Sequence, residues 1–194
     1  LKKRKQQIEK TTVVVPLLMV GLMWFIFLIQ KTGLFNQCYG VIPWKMEGLR
    51  GIVLSPLFHG NLEHIMSNSI PMLILSFVLF LFYNKQAYFV IISSWILTGL
   101  ATWLLPDFSY FQSGIYSCHI GASGVIYALA FFLFFSGVFS KKLLLLVVSI
   151  VVFLVYGSIV YGILPSQVDQ GVSWQGHLMG AIVGSVIAYK LNKR

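Results

Sequence analysis

Residues 119–136 read HIGASGVIYALAFFLFFS, a run without Asp, Glu, Lys or Arg that opens on small and polar residues and closes on aromatic bulk. A hydrocarbon layer about 30 Å thick is crossed by about 20 predominantly apolar helical residues, so this run is predicted to be a membrane helix whose polar end lies near one surface. The charge-free stretch around it covers residues 108–140, and five others cover 11–30, 64–84, 86–106, 143–168 and 170–189. Six spans are therefore expected, at Thr11–Ile29, His64–Tyr83, Ala87–Leu105, His119–Ser136, Leu143–Leu164 and Gln175–Tyr189. The charge-free gaps at 32–44 and 51–62 are too short to cross and too rich in Gly, Pro and polar groups, and they read as loop.

Composition agrees with the spans. The 194 residues are 58% hydrophobic and 10% charged, against roughly 25% charged in a soluble domain, which excludes a water-soluble globule. No internal repeat, low-complexity tract or linker divides the chain, so residues 1–194 are expected to form one all-α polytopic membrane domain. Six spans put both termini on one side. That side would hold Lys2, Lys3, Arg4, Lys5, Lys10, Lys85, Lys141, Lys142, Lys190, Lys193 and Arg194, and the other side Lys31, Lys45, Arg50 and four of the five acids. The positive-inside rule then makes the termini cytoplasmic, in a plasma membrane such as the bacterial cytoplasmic membrane. Bases spread over short loops account for the net charge of +9 without nucleic acid. The first stretch, basic and then apolar, is expected to stay as a helix, because its run is long and no small-residue cleavage site follows. Cys38 and Cys118 fall in or near the external half, where a disulfide is possible, although two cysteines define no framework. Cys118 is expected to be a packed small residue or a thiol near the site.

Polar groups at membrane depth are costly and ordinarily face a cavity or a partner. Three sets stand out: His59, His64 and Asn68; Ser123 in Gly121-Ala-Ser-Gly124; and His177 in Gly176-His-Leu-Met-Gly180. The second, fourth and sixth predicted helices run in the same direction, and each carries its polar residues in the first two turns. At 1.5 Å per residue these residues share a depth within roughly 10 Å of the external end. Residues three or four apart share a helix face, which pairs His64 with Asn68 and Ser123 with Tyr127. Gly176, Gly180, Gly184 and Ala188 form a stripe of small residues that lets membrane helices approach closely, close enough for Ser123 to reach His177 as a nucleophile reaches its base. Taken singly, each feature has a structural reading: a serine bonding back to its own helix, a glycine stripe that only packs, an Asn that caps.

Taken together, Gly121-Ala-Ser-Gly124 followed by Val-Ile-Tyr-Ala, the His59-x4-His64-x3-Asn68 segment, and His177-Leu-Met-Gly-Ala-Ile-Val-Gly184 resemble the rhomboid intramembrane serine proteases, in the order that family shows. The resemblance implies a six-helix rhomboid-like bundle. It makes Ser123 the nucleophile and His177 the general base. His64 and Asn68, with the Ser123 N–H, would form the oxyanion hole, and Tyr127 would pack on the catalytic imidazole. His59 takes a supporting role, Gly121 leaves room beside the nucleophile, and Gly180 and Gly184 provide close helix packing. The implied reaction is hydrolysis of peptide bonds in or beside transmembrane segments of membrane-protein substrates, through an acyl-enzyme, with no cofactor. The Trp-Arg pair common in the family's first loop is absent, since Trp44 and Arg50 stand apart, and no role is carried over for it.

No third carboxylate accompanies the pair: Asp107 and Asp169 read as solvated loop acids. No metal is expected, because the four histidines lack His-Glu-x-x-His spacing. The loops 108–117 and 166–173 are expected to line the access of water and substrate. Two other classes fit less of the sequence: an inactive relative that binds membrane clients, which typically lacks the Ser or the His, and a small transporter, whose site would lie nearer the midplane and within repeated halves.

Overall fold

The computed structural model describes residues 9–140, 142–167 and 172–193. Lys2, Lys3, Arg4, Lys5, Lys141, Asp169 and Arg194 lie outside the described residues. Those described are helical, with no strand among them. In order come α1 (Lys10–Gln30), a set of helical turns over 46–57 that includes α2 (Gly51–Leu54), α3 (Leu62–Leu104), α4 (Phe108–Ser113), α5 (Ser123–Ser140), α6 (Leu143–Tyr156) and α7 (Trp174–Asn192). Helix α1, the stretch Leu62–Ser113 and α5 are long and apolar enough to cross a membrane, and α6 is a shorter apolar helix of 14 residues.

The bounds depart from the expected ones where local chemistry differs from the charge pattern. The second and third predicted helices are continuous: α3 runs for 43 residues, and its one non-helical residue is Tyr83, at φ −126° and ψ 32°. Tyr83-Asn84-Lys85-Gln86 contains no Gly or Pro to stop a helix, so the chain bends at one residue and continues. At 1.5 Å per residue the whole run would measure about 65 Å, twice the hydrocarbon layer. Helix α5 starts at Ser123 and not at His119. Gly121 sits at φ +107°, a conformation that L side chains rarely adopt, and His119 is held in an extended bridge by Val41, with N···O distances of 2.9 Å in both directions. The fifth helix was expected to run to Leu164, but its α-helical part ends at Tyr156 and a 3-10 segment, Gly157–Ile163, follows. Glycines at 157 and 162 weaken the α-helix there.

The region 31–61 is more than a loop. It is fastened to α3 by three tryptophan indoles, with Trp44 of the region donating to the Leu104 carbonyl at 3.0 Å, and Trp103 and Trp95 of α3 donating to the carbonyls of Lys45 at 2.9 Å and Val53 at 2.8 Å. Arg50 donates to the Cys38 carbonyl at 2.6 Å and lies over the Tyr39 ring, so it organises this loop. Cys38 and Cys118 form a disulfide across 80 residues of sequence, and Cys118 is therefore no free thiol. Asp107 is not a solvated acid either. It is 3% exposed, caps α4 through the Tyr110 N–H at 3.2 Å, and accepts from the Ser117 N–H at 2.7 Å and the Ser117 hydroxyl at 3.0 Å, because a buried carboxylate needs donors.

Helix α5 is central, packed against α3, α6 and α7, with Leu129, Phe132 and Leu133 fully buried. Between membrane helices, dispersion and close packing do the work that water does in soluble cores, so approach distance matters. On α7 a Cβ at Gly180 would collide with the Gly124 carbonyl, and one at Gly184 with the Ala128 carbonyl. Both glycines thus let the two backbones touch, which sets the spacing of whatever side chains stand at their N-terminal ends. The disulfide fixes that same end. Disulfides typically contribute about 2–4 kcal/mol. Cys38→Ser should therefore lower the thermal midpoint in detergent by about 5–10 °C, and reductant should reproduce that shift in the parent but not in the variant.

Candidate active site

Three polypeptide ends converge around one serine. Ser123 is the first residue of α5, where the backbone N–H has no intrahelical partner, and the Gly121 N–H just before it is held by the Ser55 carbonyl at 2.9 Å. Helix α7 begins at Trp174, capped by Ser173, whose hydroxyl accepts from the Gly176 N–H at 3.1 Å, and this brings His177 in at the end of its first turn. Helix α3 begins after Asn61, whose side-chain oxygen accepts from the His64 N–H at 2.8 Å.

Ser123 Oγ lies 2.8 Å from His177 Nε2. The other ring nitrogen, Nδ1, is 2.9 Å from the Gly162 carbonyl oxygen. A carbonyl can only accept, so Nδ1 carries the hydrogen and Nε2 offers its lone pair to the serine hydroxyl. The Tyr127 ring is stacked on the imidazole, with centroids 4.2 Å apart and planes 7° apart. Both rings are buried. A backbone carbonyl and an aromatic face thus orient the histidine, the task a carboxylate performs in a three-residue arrangement.

A cavity of about 720 Å³ opens beside this pair and is lined by His64, Asn68, Ser123, Tyr127 and His177 among others. Asn68 is buried and its amide donates to the His64 carbonyl at 2.7 Å, which leaves its second amide hydrogen uncommitted by that bond. The His64 ring sits against Gly121, where a Cβ would fall 2.5 Å from Nε2. His59 is fully buried, its ring edge-on to His64 at 5.0 Å and its Nδ1 3.3 Å from the Leu57 carbonyl. All residues singled out in the sequence around this site are therefore in one region: His59, His64, Asn68, Gly121, Ser123, Tyr127 and His177, with Gly180 and Gly184 one and two turns farther along α7.

Sequence reasoning missed four contributors. The Gly162 carbonyl carries no side-chain signature and lay inside a predicted helix. Gln30 makes a reciprocal pair with the His59 backbone, donating to its carbonyl at 3.3 Å and accepting from its N–H at 3.2 Å. Asn61 caps α3, and an Asn before a helix start with Glu63 in the first turn is the signal that could have found it. Ser173 joins His119, with Oγ 2.7 Å from Nδ1, four residues before His177 just as His119 stands four before Ser123, so the two helix starts are tied twice. Of the two loops expected to line access, 166–173 contributes Val172 and Ser173 to the cavity and 108–117 contributes no residue; residues 168–171 lie outside the described part.

His59 and His119 stand in loop segments, and burial is the main influence on both, pushing each imidazole from 6.5 down to about 4. At His59 the neighbouring His64 adds to the lowering and the Leu57 carbonyl opposes it; at His119, Asp107 opposes it. The folded form then binds fewer protons than the unfolded one between pH 6.5 and about 4, so stability is full above that window and falls as pH drops through it. Thermal unfolding in detergent should show this acid-side slope, and His59→Gln should flatten it.

A family profile described as Rhomboid domain matches residues 46–194. An uncharacterised protein of Mycobacterium tuberculosis is 40% identical over 179 residues, covering 89% of this chain and 72% of the relative. An uncharacterised protein of Mycobacterium leprae is 37% identical over 154 residues, 79% of this chain and 60% of the relative. A protein of Acanthamoeba polyphaga mimivirus whose name assigns it to the rhomboids is 30% identical over 135 residues, 69% of this chain and 70% of the relative.

Proposed function

The chain belongs to the rhomboid family, and from that premise we propose that it is an intramembrane serine endopeptidase acting through Ser123 and His177. The observation that carries this reading is the 2.8 Å approach of Ser123 Oγ to an imidazole nitrogen whose opposite nitrogen is held by a carbonyl. Family membership and the long apolar helices make it an integral membrane protein. We count six spans, taking α3 as two about its bend at Tyr83. Helix α6 with its 3-10 extension reaches roughly 35 Å, enough for one more. The termini are cytoplasmic and the catalytic end faces outward, a placement supported by the disulfide beside Ser123, since disulfides persist in oxidising compartments, and by the basic residues at the opposite end. The membrane is a plasma membrane.

Neutral His177 takes the Ser123 proton through Nε2 as Oγ attacks the peptide carbonyl. The imidazolium so formed keeps its Nδ1–H on Gly162 and its face on Tyr127, then gives a proton to the leaving amine. Water hydrolyses the acyl-enzyme with His177 again as base. The developing oxyanion meets the Ser123 N–H, the His64 ring and the second hydrogen of the Asn68 amide. Asn68→Ala should therefore lower turnover about 100-fold to 1,000-fold with little change in fold, read by initial rates and circular dichroism. Substrates are membrane-protein helices that unwind near their outer end and reach the groove laterally as well as from water. The test is cleavage of a library of single-span reporter proteins reconstituted with the enzyme in liposomes. Proteolysis of some members by the parent and of none by Ser123→Ala supports the reading, and a folded parent that cleaves none overturns it.

A further inference from the structure

The end of the bundle opposite Ser123 carries a second cavity, of about 870 Å³, that the proteolytic reading does not use. Ser123 and Ser140 are the two ends of α5, and 17 residues at 1.5 Å put the cavity roughly 25 Å from the nucleophile. It lies between the bend of α3, the end of α5, the start of α6 and the end of α7. Its lining is two-sided. Lys85, Lys142 and Lys193 stand on it, all exposed at their own residues, while Tyr83, Phe139 and Leu145 contribute apolar surface. Among the described residues no acid lines it. Glu9 comes near only through Asn84, whose amide donates to the Glu9 carboxylate at 3.0 Å.

Helix α6 begins here with no side-chain cap, so its first-turn N–H groups add positive potential to that of the lysines. The helices α5 and α7 end here too, and their carbonyl ends account for part of the preference for lysine. They do not account for the apolar lining. A general bias of positive charge toward one membrane face likewise explains lysines anywhere on that face, without explaining why three of them ring a concave, partly apolar site.

We propose that this cavity binds an anionic phospholipid, with the headgroup phosphate among Lys85, Lys142 and Lys193 and the first acyl carbons on Phe139, Leu145 and Leu191. Basic pockets between membrane helices hold anionic headgroups in this way, and lysine stems can lie along apolar surface with the ammonium group at the phosphate. The proposal is independent of catalysis and stands or falls separately from it.

The test is native mass spectrometry of the delipidated chain in detergent, titrated with phosphatidylglycerol, phosphatidylcholine or inorganic phosphate, alongside thermal unfolding. The parent should retain phosphatidylglycerol at least about tenfold more tightly than phosphatidylcholine, and inorganic phosphate should not raise the thermal midpoint. The variant Lys85→Gln/Lys142→Gln/Lys193→Gln should lose that preference while folding normally. The control Lys10→Gln/Lys190→Gln changes two lysines that do not line the cavity and should leave binding unchanged. Equal retention of both lipids, equal loss in the control, or a triple variant that binds as the parent does would each overturn the proposal. A thermal shift from inorganic phosphate alone, abolished in the triple variant, would overturn the lipid assignment in favour of a free-phosphate site.

Discussion

Ser123→Ala and His177→Ala are each expected to reduce proteolysis by about 10⁴-fold or more while leaving the thermal midpoint within a few degrees of the parent. In the proposed mechanism the serine hydroxyl and the imidazole act as one unit, so removing either removes the activated nucleophile, and the double variant should be no worse than either single one. Ser123 contributes little to packing, and the buried His177 ring makes its stacking contact with one residue, Tyr127. Ser123 stands at a helix start beside a cavity, and the Gly162 carbonyl that loses its donor in His177→Ala lies in a 3-10 segment near the same cavity. The measurement is initial rate against a reconstituted reporter, with unfolding followed in parallel. Parallel losses of rate and fold in the serine variant would assign Ser123 to structure.

The second large effect is expected from Gly180→Val, which touches no reacting atom. A Cβ there would run into the Gly124 carbonyl and come within 3.1 Å of the Tyr127 Cβ. The collision is with backbone, which cannot rotate away, so α7 must move off α5. Overpacking of this kind costs about 1–3 kcal/mol, and a displacement of about 1 Å at a reacting pair costs on the order of 100-fold in rate. Gly180→Val should therefore lose at least about 100-fold in turnover and also lower the thermal midpoint, whereas Ser123→Ala loses turnover alone. Gly180→Ala, with the smallest Cβ, should fall between the parent and Gly180→Val by both measures.

The helices were legible because a membrane leaves a coarse record: charges are costly inside a span, and Asp107 and Lys142 stand within three residues of the ends of α3 and α5 and of the start of α6, whereas Lys85 falls inside continuous α3, two residues past its bend at Tyr83. The Gly176-Gly180-Gly184 stripe pointed to a close helix contact because small residues have few other reasons to recur every fourth position, and Gly180 and Gly184 do meet the α5 backbone. The Ser123 and His177 neighbourhood was legible through residue types that are expensive in lipid. Backbone acts were not. The Gly162 carbonyl that orients His177 could have come from any residue, and the bend at Tyr83 is a matter of two dihedral angles with no breaker to announce it. The start of α5 was misread because charge patterning says nothing of an extended bridge, and it is the pairing of His119 with Val41 that delays the helix until Ser123. Asp107 was misread for a related reason. A loop acid looks solvated unless its donors, here the Ser117 N–H and hydroxyl, are known to fold back on it.

An activated Ser123 should react with a fluorophosphonate when the purified protein is treated in lipid nanodiscs and the adduct is mapped by peptide mass spectrometry. One phosphonylated residue, Ser123, is expected in the parent, and none in His177→Ala, because the serine needs its base. An adduct on another serine, or none on a folded parent, would contradict an activated Ser123.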